Sequence, residues 1–165
     1  MVRWLYTLAL WLARPLLVRK LRRRAVAEPV YGEAMAERWG YYAAPAALGG
    51  RDATTGAVGQ VPPAPRPVTV WVHAVSLGET RAAAALVAQL RVQLPGMRLL
   101  LTHGTATGRV QGQSLLQPGD VQVWQPWDTP GAVRRFLARF QPDVGLLVET
   151  EVWPNMVAGC AQARI

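Results

Sequence analysis

Three carboxylates define the chemistry this sequence can support. Glu79 stands in WVHAVSLGETR at residues 71–81, and Glu149 and Glu151 stand in ETEVWPN at 149–155. A carboxylate can take the proton of a hydroxyl nucleophile as a new bond forms, while a second one supports the charge that develops. Glu149 and Glu151 are two apart, so they share a face wherever the chain is extended. Each acid also has a plainer role. Glu79 opens an Ala- and Leu-rich helical stretch, where it complements the helix dipole for about 0.3–1 kcal/mol. On this stretch alone the plainer role is favoured. Glu151 precedes a helix starting at Pro154 and can serve in the same way.

The remaining polar candidates are less pointed. GTATG at 104–108 can cradle a phosphate on its backbone N–H groups, but a lone Gly/Thr turn is a weak signal, and no Gly-x-Gly-x-x-Gly or P-loop sequence occurs. His73 alternates with Val72 and Ala74 and reads equally as a packed or a functional side chain. His103, Glu79 and Glu149 have no metal-ligand spacing, so no metal and no other cofactor is expected. The single Cys160 excludes an intramolecular disulfide and reads as a packed thiol in a reducing compartment.

Alternating strands and helices must position these residues. The runs 68–75, 97–102, 121–124 and 144–148 read as buried strands. Helices are expected at 79–94, from the GTATG turn to 116, from Pro130 to 140, and from Pro154 onward, with Asp128 or Thr129 capping the third. That order predicts an α/β fold with a parallel sheet covered on both faces. Ligands then sit beyond the carboxyl ends of the strands. The four loops there (73–79, 103–108, 125–128 and 149–155) hold three Glu, one Asp, both His and three Gly. The opposite loops are ordinary turns, and this asymmetry marks the rim as the site.

The net charge of +8 is concentrated at one end. Residues 1–24 carry seven basic side chains and no acidic one, leaving eleven basic against ten acidic, a net +1, in the remainder. A nucleic-acid groove is therefore not expected. Residues 4–18 are apolar except for Thr7 and Arg14, which is short of the ~20 residues a spanning helix needs. Most of the charges follow the apolar run, the reverse of a secretory signal. The segment reads as an uncleaved membrane-anchoring helix, with Trp4, Tyr6, Leu8, Trp11 and Leu12 in the membrane and residues 19–24 on anionic headgroups at its cytoplasmic side. Residues 25–44 then form a short helical connector, with an amphipathic helix at 31–39 stopped by Gly40. Residues 45–67 form a flexible Pro/Gly/Ala-rich loop, and 68–165 form the α/β domain.

The motifs HAVSLGE, THGTATG, QPWD and ETEVWPN, with RPLLVRKLRRR and ERWGYY before them, resemble the N-terminal half of the 3-deoxy-D-manno-octulosonic acid (Kdo) transferases of lipopolysaccharide biosynthesis. The resemblance implies a Rossmann-like first domain of a two-domain GT-B glycosyltransferase, independent of metal and held at the cytoplasmic face of the inner membrane. It implies inverting transfer of Kdo from CMP-Kdo to a hydroxyl of a lipid A precursor, lipid IVA. Glu79 would be the general base and Glu149 the support of the transition state. Ser76, Gly78, Thr105, Thr107, Gly108, Glu151, Trp153 and Asn155, from the same rim loops, would line the substrate. The sequence departs from the family's pattern at His103 and in the length of the 45–67 loop. It ends at Ile165 without the nucleotide-binding second domain, so transfer by this chain alone is not expected. The rival reading is a lipid-binding remnant that keeps the fold without the reaction.

Overall fold

The protein's structure, a computed structural model, describes residues 2–43, 66–149 and 152–165. Four strands, Thr69–His73 (β1), Arg98–His103 (β2), Val121–Trp124 (β3) and Val144–Leu147 (β4), form one parallel sheet in the order β3-β2-β1-β4. The central strand sets the register, with His73 level with Thr102 on one side and Leu147 on the other. Every residue of β1 is buried. Because side chains alternate along a strand, its residues divide between two cores. Val70, Val72 and Ala74 pack with Leu99, Leu101 and the helix Leu77–Gln93 (α2) through Ala83 and Val87. Trp71 faces the other way, with Leu100, Val123, the helix Pro130–Phe140 (α4) and Met156 of the helix Pro154–Ala163 (α5). The expected parallel sheet with helices on both faces is thus present.

The apolar spacing of α4, with Val133, Phe136, Leu137 and Phe140 at i, i+3, i+4 and i+7, explains which face it buries. Thr129 caps it, its hydroxyl accepting from the Ala132 amide, and Pro130 occupies the first turn. The short helix after the GTATG turn, Ala106–Gly112 (α3), passes into a 3-10 turn at Gln113–Leu115.

Two expectations about the first 43 residues need correction. The stretch 31–39 is not one amphipathic helix but parts of two 3-10 turns, Pro29–Gly32 and Met35–Trp39, separated by Ala34 at φ 46°. The break lets Tyr31 stack on Trp124 at 5.9 Å while Arg38 reaches the ends of β2 and β3. The stop at Gly40 is as expected: its φ is +78°, and a Cβ there would lie 2.6 Å from the Ala132 carbonyl oxygen.

The first helix, Val2–Ala27 (α1), runs through Pro15 and past the boundary expected at residue 24. No described helix is long and apolar enough to cross a membrane. One stripe of α1 instead lies along the domain. Thr7 meets Asn155, Arg14 stacks 4.2 Å over Trp39, and Leu21 and Ala25 pack on the Tyr31–Trp124 cluster. Tyr6 belongs to this inner stripe, against Asp128, and not to the outer apolar face. Most of the expected 45–67 loop lies outside the described residues.

Candidate active site

From β1 the chain steps to β2 and β3 on one side, then returns across the sheet to β4 on the other. In open α/β sheets ligands bind at the carboxyl end of such a reversal, which here falls between β1 and β4. The two strand ends are tied there by the Val148 amide, which donates to the His73 carbonyl at 2.9 Å. Glu79 lies six residues beyond β1, and Glu149 two beyond β4. Both acids therefore leave the same edge from neighbouring strands. Glu149 is exposed and holds a left-handed backbone, φ 66°, uncommon for a residue with a Cβ. Thr150 and Glu151 lie outside the described residues.

Glu79 sits in the first turn of α2, which Ser76 caps. Its Oε1 accepts the Ser76 hydroxyl at 2.7 Å and its Oε2 accepts the Val75 amide at 2.7 Å. In return the Ser76 Oγ accepts the Glu79 amide at 3.3 Å. This is a capping box whose carboxylate reaches one residue further back than usual. The helix-start role is real, and the carboxylate, half-buried, is held in one orientation. Each oxygen has a second lone pair, so accepting a proton remains chemically open to it.

The GTATG turn braces this corner. Thr105 caps α3 through Gly108 N and donates its hydroxyl to the Val75 carbonyl at 2.9 Å. Gly108 is buried beneath the turn, where a Cβ would come within 2.9 Å of the Val75 oxygen. Thr107 and Gly78 stand exposed at the rim. So Thr105 and Gly108 hold the Val75–Ser76 corner, while Ser76, Gly78 and Thr107 lie nearer its open side.

Both histidines are packed. His73 Nδ1 lies 2.9 Å from the Thr102 hydroxyl, which also accepts Trp71 Nε1 at 2.8 Å. Its Nε2 is buried without a partner among the described residues. His103 Nδ1 lies 2.8 Å from the Ala74 carbonyl and its Nε2 3.0 Å from the Gln122 amide nitrogen. Burial pushes both down to about 4, so both are neutral at pH 7. Among the described residues no group of acids, histidines or cysteines is arranged to hold a metal. Cys160 is half-buried beside the α4–α5 core, and burial raises its thiol.

Asp128 does not cap α4. It is 1% exposed and caps α5 from 26 residues away, its oxygens accepting Asn155 N at 3.0 Å and Met156 N at 2.7 Å. Asn155 is buried, its side-chain amide donating to Asp128 O at 2.6 Å and Thr7 Oγ1 at 3.0 Å. Trp153 precedes α5, half-buried against the α4–α5 core. Sequence reasoning gave no role to Glu37 or Arg38. Glu37 accepts the Trp124 amide at 2.7 Å, and Arg38 donates to strand-end carbonyls; the run of charge and aromatics in ERWGYY was the available signal.

The profile of the family described as 3-Deoxy-D-manno-octulosonic-acid transferase (kdotransferase) matches residues 33–165. The chain belongs to this family. The 3-deoxy-D-manno-octulosonic acid transferase of Bordetella pertussis is 45% identical over 163 residues, covering 96% of this chain and 34% of that protein. The one from Haemophilus influenzae is 29% identical over 157 residues, 95% of this chain and 33% of that protein. A probable mitochondrial 3-deoxy-D-manno-octulosonic acid transferase of Arabidopsis thaliana is 34% identical over 88 residues, 53% of this chain and 20% of that protein. The chain spans about a third of the length of the first two Kdo transferases. No solved structure matches it.

Proposed function

We propose that this chain is the acceptor-side portion of a glycosyltransferase that moves Kdo from CMP-Kdo to a hydroxyl of a lipid A precursor such as lipid IVA, with inversion. Glu79 is the general base and Glu149 supports the charge of the transition state. The reading rests on one observation: two carboxylates follow the adjacent, registered strands β1 and β4 at the carboxyl end of the sheet. A sugar hydroxyl is a poor nucleophile, and a fixed carboxylate within reach removes its proton as the bond to the anomeric carbon forms. Ser76 keeps that carboxylate aimed. Glu151 and Trp153 of the same loop, with Gly78 and Thr107, line the acceptor, and the reaction uses no metal. A second, nucleotide-binding domain in GT-B arrangement supplies the donor, so this portion alone does not turn over CMP-Kdo. In the full-length transferase, Glu79→Gln is expected to lower kcat at least a hundredfold with little change in acceptor binding, in the range of lost acid–base catalysis. Retained transfer would remove Glu79 from the mechanism.

The membrane assignment takes a specific form. Val2, Trp4, Leu5, Leu8, Trp11, Leu12 and Leu16 are 42–82% exposed on α1, and the bases of 19–24 follow them. With its other stripe held on the domain, α1 lies along the cytoplasmic surface of the inner membrane and keeps the rim close to a lipid acceptor. Leu8→Glu with Leu12→Glu should abolish flotation of the chain with vesicles containing phosphatidylglycerol; unchanged flotation would refute this orientation.

One observation favours a second reading. Both oxygens of Glu79 are already taken by its own turn, as a purely structural cap requires. A lipid-binding remnant of the family would keep that cap and show vesicle binding with no transfer of Kdo.

A further inference from the structure

We propose that Arg38 is a positioning residue for Glu79, acting through the backbone and not through substrate. The inference rests on the reading of Glu79 as the base. Arg38 is 7% exposed, with its guanidinium 4.1 Å over the Trp124 ring. Among the described residues it forms no salt bridge, and its donors go to carbonyls. Nη2 donates to Gly104 O at 3.0 Å, and Nη1 lies 3.5 Å from His103 O and 3.4 Å from Gln125 O.

The Gly104 carbonyl and the Thr105 amide belong to one peptide group. A cation that polarises the carbonyl strengthens what the amide donates on its other side. That amide donates to Val75 O at 3.0 Å, alongside the Gly104 amide at 3.2 Å and the Thr105 hydroxyl at 2.9 Å. Val75 is thus gripped by three donors at its carbonyl, and its own amide holds Glu79 Oε2 at 2.7 Å. The approach is tight, since a Cβ on Gly104 would lie 2.6 Å from Val75 Cγ1. The chain of contacts runs from cation to peptide to Val75 to carboxylate, with a distance for each link.

A lysine cannot replace this guanidinium. Only the planar fork serves several carbonyls at once while stacking on an indole. Arg38 and Trp124 also fill the carboxyl ends of β2 and β3.

Native-state amide exchange, read by NMR on the 165-residue chain, tests the proposal. In the unsubstituted protein the Val75 and Thr105 amides, though outside the strands, are expected to be as protected as strand amides. In Arg38→Lys and Arg38→Gln those two should exchange about tenfold faster or more, as a local opening does, while Leu99 at the far end of β2 changes only with global stability. In the full-length transferase Arg38→Lys should lower kcat about tenfold or more, as a displaced catalytic group does, with the acceptor KM within about twofold. Unprotected Val75 and Thr105 amides in the unsubstituted protein would overturn the proposal, and that result does not depend on any variant folding. Uniform acceleration of all amides, or full rescue by lysine, would also overturn it. Selective exchange with unchanged kcat would support the link from Arg38 to Glu79 and count against Glu79 as the base.

Discussion

Glu149 holds φ 66° directly after a strand, although a side chain in the left-handed region costs about 1–2 kcal/mol. Non-glycine strain of this kind persists where something other than stability selects the residue. Glu149→Gly should therefore raise the unfolding free energy by about 1 kcal/mol, read by urea denaturation, while removing the carboxylate from the rim. A loss of stability would mean the side chain has a structural partner. Glu79 is the opposite case. Glu79→Ala should cost about 1 kcal/mol, because the Val75 amide and the Ser76 hydroxyl lose their acceptor, and Glu79→Gln should cost less because its carbonyl can keep one of them. Both acids were legible as candidates because each follows an apolar strand run. Arg38 was not legible as a positioning group. An Arg within a polar connector reads as solvated surface, and only the folded chain brings it to carbonyls 65 to 87 residues away.

At the scale of elements, local rules located what local contacts stabilise. Thr129 beside Pro130 marked the start of α4, and the apolar spacing of α4 marked its buried face. The start of α5 obeys a different logic. Its first amides point at Asp128, the end of a loop after β3, because α5 crosses over the α4 start and buries that carboxylate. A cap supplied from 26 residues away leaves no spacing to read in the sequence. It also carries more energy than a local cap, since a buried charge-assisted bond is worth about 1.5–3 kcal/mol. Asp128→Ala should lower stability by about 3 kcal/mol in a denaturant titration, because the Asn155 and Met156 amides of α5 lose their acceptor, while the backbone carbonyl at 128 still accepts the Asn155 side chain. Burial and the same carboxylate push the Tyr6 phenol well above its usual range, so the substitution should bring its titration down as well. That coupled change would distinguish loss of this junction from simple destabilisation. The helix α1 was legible as a helix but not in its docking. Leu10, Leu17 and Leu21 face the domain while Leu5, Leu8 and Leu12 face out, so apolar residues on both stripes conceal which one meets protein.

For the whole molecule, both histidines lie at the carboxyl edge of the sheet with their rings in its two cores, and folding must keep them neutral. In the unfolded chain each takes a proton near pH 6.5, whereas burial first, with the Arg38 charge near both and Arg109 near His103, holds them down to about 4. The unfolded state therefore binds more protons in this window. Stability is unaffected above pH 6.5 and falls as the pH drops towards 4, by up to about 1.4 kcal/mol per pH unit for each histidine. Glu37 works in the other direction, since burial raises its carboxyl and protonation at lower pH relieves it. The two histidines carry the larger shifts, so they set the trend between pH 6.5 and 5. Thermal melts from pH 7.5 to pH 5 should show a Tm that is flat above pH 6.5 and falls by several degrees below it. His103→Gln can keep a hydrogen bond to the Ala74 carbonyl without a titrating ring, so it should remove about half of that slope while lowering Tm at pH 7.5. A Tm independent of pH across this range would mean that both rings are reached by water in the folded protein, and that the sheet edge carrying Glu79 is looser than its hydrogen bonds describe.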